Sequence, residues 1–319
     1  MAEKRAGRAR GWSWKRGRAV ALVCLLAAVL LVRPGLVPNT PGRMGSLLET
    51  FLPWLGLVVP VLLLPALSRR SFLASAALLL PVAAWFASFG GHLSAGGQAP
   101  DGAFTVVQHN ISDVNPDPAA TARALASTDA DLVALEELTA PALPAVEAAM
   151  AASHPHRATS GTVGLWSKHP LTGIRPVDIG PEGVGEDWDR GLRATARTPQ
   201  GEVAVYVAHL PSVRITPAAG LTSGRRDESA ALLGEAVAAE PLDRVILLGD
   251  LNGTSDDRGL EPVGSLMNPP GPGFAFSWPA RFPVAGIDQV LTRSATVVRV
   301  RSLPATGSDH RPVAADIRL

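Results

Sequence analysis

The chain contains a single cysteine, Cys24, in 319 residues. That excludes an intramolecular disulfide, and cysteine usage therefore neither demands nor forbids an oxidising compartment. Acidic residues are nearly missing from the first hundred positions, where only Glu3 and Glu49 face 11 Lys and Arg. Lysine is nearly missing from the rest, with Lys168 alone after residue 100. Of 29 basic and 28 acidic residues, 18 and 26 therefore fall beyond residue 100, a net charge of about −8 there against about +9 before it. The whole-chain value of +1 averages two physically different pieces. The acidic piece also lacks a basic–aromatic stripe, which weighs against nucleic acid as the partner, since such binding rests on neutralising phosphates. Local pairs such as Arg225-Arg226 keep a nuclease open as the alternative.

The N-terminal piece has long apolar runs. Residues 1–18 form a basic arm with seven Lys and Arg. Apolar stretches follow at 19–32, about 47–67 and about 71–91, separated by Arg33 and Arg43 and by Arg69 and Arg70. Crossing a hydrocarbon core of roughly 30 Å takes about 20 helical residues. The positive-inside rule asks for the arm and Arg69-Arg70 to lie in the cytoplasm. Three transmembrane helices over 19–91 satisfy it and place the remainder outside the plasma membrane. Residues 92–102, "HLSAGGQAPDG", are Gly-rich and read as a linker.

From 103 to 319 the pattern alternates strands and helices. "FTVVQHNI", "DLVALEEL", "GTVGLWSK", "GLRATAR", "EVAVYVAHL", "RVILLGD", "IDQVLTR", "ATVVRVRSL" and "PVAADIRL" read as strands, with helices at 118–128, about 141–152 and 223–240. This predicts an α+β domain with a β core and helices outside. Several of these strands end in polar residues that a core strand has no reason to carry. Asn110, Glu136-Glu137, His209, Asp250 with Asn252, and Asp288 stand at such ends, and "TGSDHRP" adds Asp309 and His310. Taken singly, each has a bland reading as a turn, a solvated end or a core histidine. Together they suit one chemistry. Carboxylates hold a hard cation such as Mg²⁺, amide and imidazole donors meet charge on phosphate oxygens, and a His backed by an Asp is an oriented base.

The motifs "VVQHN", "ALEEL", "GLWSKHPL", "VAHL", "GDLN", "GIDQVL" and "SDHRP" occur in an order that resembles the endonuclease/exonuclease/phosphatase superfamily, with the DNase I-like fold. The resemblance implies a four-layer α/β/β/α sandwich and a Mg²⁺-dependent phosphoesterase, with Mn²⁺ as a substitute. It gives Glu137, Asn110 and Asp309 the metal, and His209 and Asn252 the phosphate oxygens. Asp250 would orient the nucleophile, Asp288 would orient His310, and His310 would activate water. Departures from the pattern are Glu136 in place of a Gln, Ser112 in place of an acid, and Gly286 in place of an Arg. The whole layout is similar to the VanJ-type teicoplanin-resistance membrane proteins. That similarity implies action on lipid-linked cell-wall intermediates at the bilayer and a role in glycopeptide resistance. The alternative is an extracellular DNase-like phosphodiesterase.

Overall fold

The computed structural model describes residues 11–40, 42–94, 102–185, 188–269 and 271–319. Most of the basic arm and of the linker therefore lies outside the described residues. Two compact units emerge: Met1–Pro38 with Phe51–Gly91, and Asn39–Thr50 with His92–Leu319.

The first unit begins with α1 (Arg18–Val32), which buries Val20, Cys24, Ala27 and Leu31. Their spacing of four, three and four makes one helical stripe. Val20 and Cys24 pack on Ala66, Ala74 and Leu78, while Leu22, Leu25, Leu26 and Val29 remain exposed. The next helix, α2 (Met44–Thr50), belongs to the second unit. In the first unit α3 (Val58–Ser68), α4 (Phe72–Ala77) and α5 (Leu79–Phe89) follow. They too present Val61, Leu64, Leu79 and Phe86 outward.

Three spanning helices are not what the chain forms. Among the described residues one helix, Phe72–Ser94, is long and apolar enough to cross a membrane, with a mean hydropathy of 1.9. At 15 residues α1 is about 22 Å long, short of the hydrocarbon thickness. The second apolar run is broken at Phe51, ahead of Pro53 in the turn Leu52–Leu57, and its first part is held by the other unit. Glu49 explains that hold. It is 3% exposed, and both its carboxylate oxygens accept bonds from Arg258, at 3.0 and 2.9 Å from Nε. Glu49, which falls inside the apolar run of about 47–67, anchors the segment 39–50 within the second unit.

In the second unit the strands and helices run β1 (Phe104–Asn110), α6 (Pro118–Ala126), β2 (Leu132–Glu136), α7 (Leu143–Met150), β3 (His156–Ser160), β4 (Val163–Ser167), β5 (Leu171–Pro176), β6 (Gly191–Thr198), β7 (Gly201–His209), the short β8 (Ile215–Thr216) and β9 (Gly220–Leu221), α8 (Gly224–Ala238), β10 (Val245–Asp250), α9 (Glu261–Gly264), β11 (Asp288–Arg293), β12 (Thr296–Ser302) and β13 (Val313–Arg318). One sheet has the order β12-β13-β1-β2-β4-β3, the other β11-β10-β7-β6-β5.

Side-chain alternation builds the layers. Val106, Leu132, Ala134, Val205, Val207, Ile246, Leu248 and Val313 point inward and form the core between the sheets. Their neighbours Val107, Val133 and Leu135 pack outward with Leu125 of α6 and with Val146 and Met150 of α7. On the other side Ala204, Tyr206, Val245 and Leu247 pack with Ala230, Leu233 and Val237 of α8. The expected four-layer sandwich is what folds.

The same parity decides where the polar strand ends go. Gln108 and Asn110 continue the inward set of β1, and Glu136 that of β2. His209, Asp250 and Asp288 do so on β7, β10 and β11. Register then sets them side by side, with Asn110 opposite Glu136, and Asp250 opposite both His209 and Asp288. Polar groups from two sheets thus meet at one edge of the inter-sheet core.

Candidate active site

At the centre is an imidazole–carboxylate pair. His310 Nδ1 lies 2.8 Å from Asp288 Oδ2, and its Nε2 lies 3.8 Å from Asp250 Oδ2. Both carboxylates are buried. Asp288 also accepts from Gln108 Nε2 at 3.0 Å, and the same nitrogen serves Glu136 Oε2 at 2.7 Å. Asp250 accepts from Asn110 Nδ2 at 3.1 Å and from the backbone of Asn252 at 3.0 Å. Asn252 adopts a positive φ of 48° and donates its side-chain amide to Leu210 O at 2.9 Å. The loop after β10 thus turns back on the end of β7. Ser308 ties the last loop in, donating to Asn110 O at 2.7 Å and accepting from His310 N at 3.0 Å.

Electrostatics separates the two histidines. Burial works against charge on His310, but Asp288 and Asp250 outweigh it and hold its pKa up at about 10. Burial, assisted by Arg190 and His310, brings His209 down to about 3. His209 is therefore neutral at any physiological pH. Arg190 Nη1 stands 3.5 Å from His209 Nδ1 and can only donate. This puts the imidazole proton on Nε2, which has no hydrogen-bond partner among the described residues. That N–H is aimed between Asp250 Oδ2 at 3.7 Å and Glu137 Oε1 at 3.8 Å. A neutral donor without a partner at the mouth of an acidic cleft suits an incoming phosphate oxygen.

Carboxylates outnumber cations here. Burial, then the charge of Asp288, keeps the Asp250 pKa up at about 7 despite the opposing charge of His310. Burial and the charges of Asp288 and Asp250 raise Glu136 well above the carboxylate range. Asp288 goes down instead, because the charge and hydrogen bond of His310 overcome its burial. Oxygen donors crowded in this way, with too little positive charge, fit a hard divalent cation. Asp250, Asp288 and His310 offer donor atoms within 4.8 Å of one another. Asp288 is already committed to His310 and Gln108, so Asp250 and Glu137 are the carboxylates left for an ion.

The residues picked from sequence are largely assembled. Asn110, His209, Asp250, Asn252, Asp288 and His310 share the cleft, and half-buried Glu137 reaches it through a positive φ of 55° just after β2. Asn110 differs in detail, for its Oδ1 accepts from Ser112 N at 3.0 Å while its amide holds Asp250. Asp309 is exposed, and its contribution is a charge that raises His310. Asp113 approaches Glu137 with its backbone N–H, at 3.1 Å, rather than with its carboxylate. Gln108 and Arg190 went unnoticed in the sequence. Gln108 was legible, being two residues before Asn110 and so on the same inward face. Arg190 sits in irregular chain and carries no such signal.

One consequence is open to titration. The folded pKa of His310 exceeds its unfolded value of about 6.5. Its contribution to stability is complete below about pH 6.5 and is lost as pH rises through about 10. Histidine-labelled protein without divalent cation should show one ring titrating far above 6.5. Asp288→Asn, or saturating Mg²⁺, should bring that midpoint down; an unmoved midpoint near 6.5 would contradict the geometry.

Solved structures that resemble the chain include the following three. Sphingomyelinase C from Streptomyces griseocarneus is 20% identical, with a TM-score of 0.53 over 67% of this chain and 99% of its own. A beta toxin from Staphylococcus aureus with bound magnesium ions is 16% identical, with a TM-score of 0.53 over 66% and 98%. D. rerio TDP2 complexed with a single-strand DNA product is 15% identical, with a TM-score of 0.55 over 69% and 100%. At these identities the likeness shows the shared fold. No curated protein matches. Residues 95–310, more than half of the chain, match one family as a whole, and with fold and cleft in agreement the chain belongs to the Endonuclease/Exonuclease/phosphatase family.

Proposed function

We propose that the chain is a divalent-metal-dependent phosphoesterase acting on a lipid-linked phosphate ester or diphosphate at a bilayer surface outside the cytoplasm. The observation that carries the hydrolytic part is the pair His310–Asp288 set 3.8 Å from Asp250, facing the partnerless Nε2–H of His209. Glu137 and Asp250 are the residues that would hold Mg²⁺, or Mn²⁺ in its place, with Asn110 supporting the site through its bond to Asp250 rather than as a ligand. Such an ion supplies Lewis-acid stabilisation of charge on phosphate oxygens. The protein's own part is proton handling and orientation. His310 Nε2 takes the proton of a water molecule from the neutral state of the ring, while Asp288 fixes the ring through Nδ1. That neutral state is favoured by a cation beside Asp250 over the charged state held by the carboxylates alone. Asp250 orients that water. His209 Nε2–H and Asn252 meet the oxygens of the phosphoryl group as it passes through its most charged geometry.

The membrane part rests on the first unit. Large apolar side chains project outward from α1, α3, α4 and α5, an arrangement costly in water and ordinary in lipid. The helix Phe72–Ser94 follows Arg69 and Arg70 directly, so a cytoplasmic position for those arginines carries the following domain across the bilayer. The name of the sphingomyelinase and the magnesium of the beta toxin support a lipid substrate and this metal. Among lipids, a cell-wall polyprenyl phosphate or diphosphate suits the resistance-protein layout. A nuclease is the second reading, favoured by the DNA product bound to TDP2 and opposed by a domain charge of about −8.

Purified full-length protein in nanodiscs should release phosphate from a polyprenyl diphosphate or a phospholipid in Mg²⁺ and leave single-stranded DNA intact. Cleavage of DNA alone would overturn the lipid reading. A reporter active only outside the cytoplasm, fused after Leu319, should be active; silence there would overturn the placement.

A further inference from the structure

We infer that Arg43 and Glu49 are positioning residues for the hydrolysis, holding the Asn252 loop in place through a strap formed by residues 42–50. This deepens the proposed function and rests on it for the role of Asn252.

The strap lies between α1 and α3 in sequence, yet it packs within the second unit. A helix as short as α2 does not hold itself in water, so it depends on what it touches. At one end it meets the loop that follows β10. Glu49 accepts there from Arg258 N at 3.1 Å and from Arg258 Nη2 at 2.6 Å, besides the bonds from Nε. Gly45 stands so close to that guanidinium that a Cβ would lie 2.6 Å from its carbon. At the other end of the strap Arg43 pairs with Asp227, and Leu221 N donates to Gly42 O at 2.9 Å.

These two contacts are the ends of one chain of charges. Asp227 joins Arg43 to Arg226 Nε, Arg226 Nη2 reaches Asp257, and the charge of Asp257 bears on Arg258, which Glu49 closes. Three arginines and three carboxylates alternate, and the chain begins and ends on the strap. In its middle, Arg226 Nη1 donates to Asn252 O at 3.0 Å, and the next carbonyl, Gly253 O, accepts from Gln289 Nε2 at 3.2 Å. The loop is thus clamped from α8 on one side and from β11 on the other. A Cβ on Gly253 would collide with the Arg226 guanidinium, so side chain and loop backbone are in direct contact. Buried ion pairs add little net stability, because desolvation offsets their attraction. What this chain of pairs supplies is geometry, and the geometry required is that of Asn252, held at a positive φ with its amide on Leu210 O. Hydrolysis in the second unit therefore depends on residues that the sequence places among apolar helices.

The variants are Glu49→Gln and Arg43→Ala in full-length protein, assayed with a soluble activated phosphodiester and Mg²⁺. Each should lower kcat by about tenfold or more with KM within about twofold, since displacing a group that meets the transition state costs rate rather than binding. Arg43→Lys keeps the charge at Asp227 and should retain most of the rate. Asn252→Ala has already lost the group being positioned, so adding Glu49→Gln to it should cost no further rate. Amides of 252–258 should exchange hydrogen faster in both variants, with those of β7 and β10 unchanged. The Arg43–Asp227 pair is the more exposed end of the chain, and Arg43→Ala carries the test should Glu49→Gln fail to fold. Wild-type kcat in both variants, or an equal loss on the Asn252→Ala background, would overturn the positioning role. Faster exchange confined to 252–258 in a protein that hydrolyses nothing would uphold the strap while the phosphoesterase reading fell. Unchanged exchange there would overturn the strap itself.

Discussion

Asp250→Asn should abolish hydrolysis while raising the melting temperature of the protein. The two effects have one cause. Asp250 is 1% exposed, and burial with the neighbouring charge of Asp288 lifts its pKa to about 7. An acid whose folded pKa lies above its unfolded value loses stability as pH rises from about 4 to about 7. At pH 8 the folded protein carries that cost in full, and the amide removes it. The asparagine oxygen can still accept from Asn252 N, while its amide nitrogen takes the place of the oxygen that accepts from Asn110 Nδ2. One of the two bonds is thus lost against the larger gain from removing the charge. Activity should fall by about 10³-fold, since the group opposite His310 that orients the water is gone. His310→Ala makes the contrast. It too should be inactive, but it removes the imidazolium that both carboxylates face and should lower the melting temperature. Equal melting shifts of the same sign in both variants would contradict the charge balance described for the cleft.

The second large effect is expected at Arg226, away from the reacting groups. Its side chain is fully buried and forks between Asp257, at 2.6 Å from Nη2, and Asp227, at 2.8 Å from Nε. Its Nη1 holds the carbonyl of Asn252 at 3.0 Å. Arg226→Ala would leave Asp257, itself buried, without its counter-charge. Breaking a buried pair from one side costs about 3–5 kcal/mol, which for a domain of this size lowers the melting temperature by about 10 °C. Because the same guanidinium fixes the Asn252 loop, kcat should fall as well. Arg226→Lys should rescue little, since a point charge cannot hold three directions at once. Wild-type melting in Arg226→Ala would refute the strut.

Arg226 also shows where sequence reading fails. Beside Arg225 it reads as half of a basic patch and as an argument for nucleic acid. Helical periodicity sends the two neighbours to opposite fates, one exposed and one in the core, and neither composition nor charge count distinguishes them. Gly249 is similar. It has no side chain for the sequence to interpret, yet a Cβ there would meet the Ala208 carbonyl of the adjacent strand, so it serves strand packing. Much of the fold was legible because β1, β2, β7 and β10 alternate or run apolar for their full length. The edge strands β3 and β5 were not, since half-exposed sequences such as "LTGIRP" have no apolar period to read. In the site, Asn110, His209, Asp250 and Asp288 were legible because a polar residue with inward parity at a strand end has few structural excuses. The same parity separates Glu136 from Glu137. Glu136 points inward and bonds to Gln108, and only the turn at Glu137 brings that carboxylate to the mouth of the cleft. The three-span expectation failed for a nonlocal reason, because an ion pair to Arg258, more than two hundred residues away, takes Glu49 and α2 out of the apolar run.

The central claim, a metal-dependent phosphoester hydrolysis run by His310 and Asp288, is tested most directly by one assay. Full-length protein is freed of divalent ions with a chelator and offered a soluble activated phosphodiester, and Mg²⁺ is then titrated back for the wild type and for Asp288→Asn. The wild type should be silent without the ion and recover saturably, while Asp288→Asn should stay at least about a hundredfold lower at every concentration. Hydrolysis that is indifferent to the chelator, or an Asp288→Asn variant as active as the wild type, would contradict it.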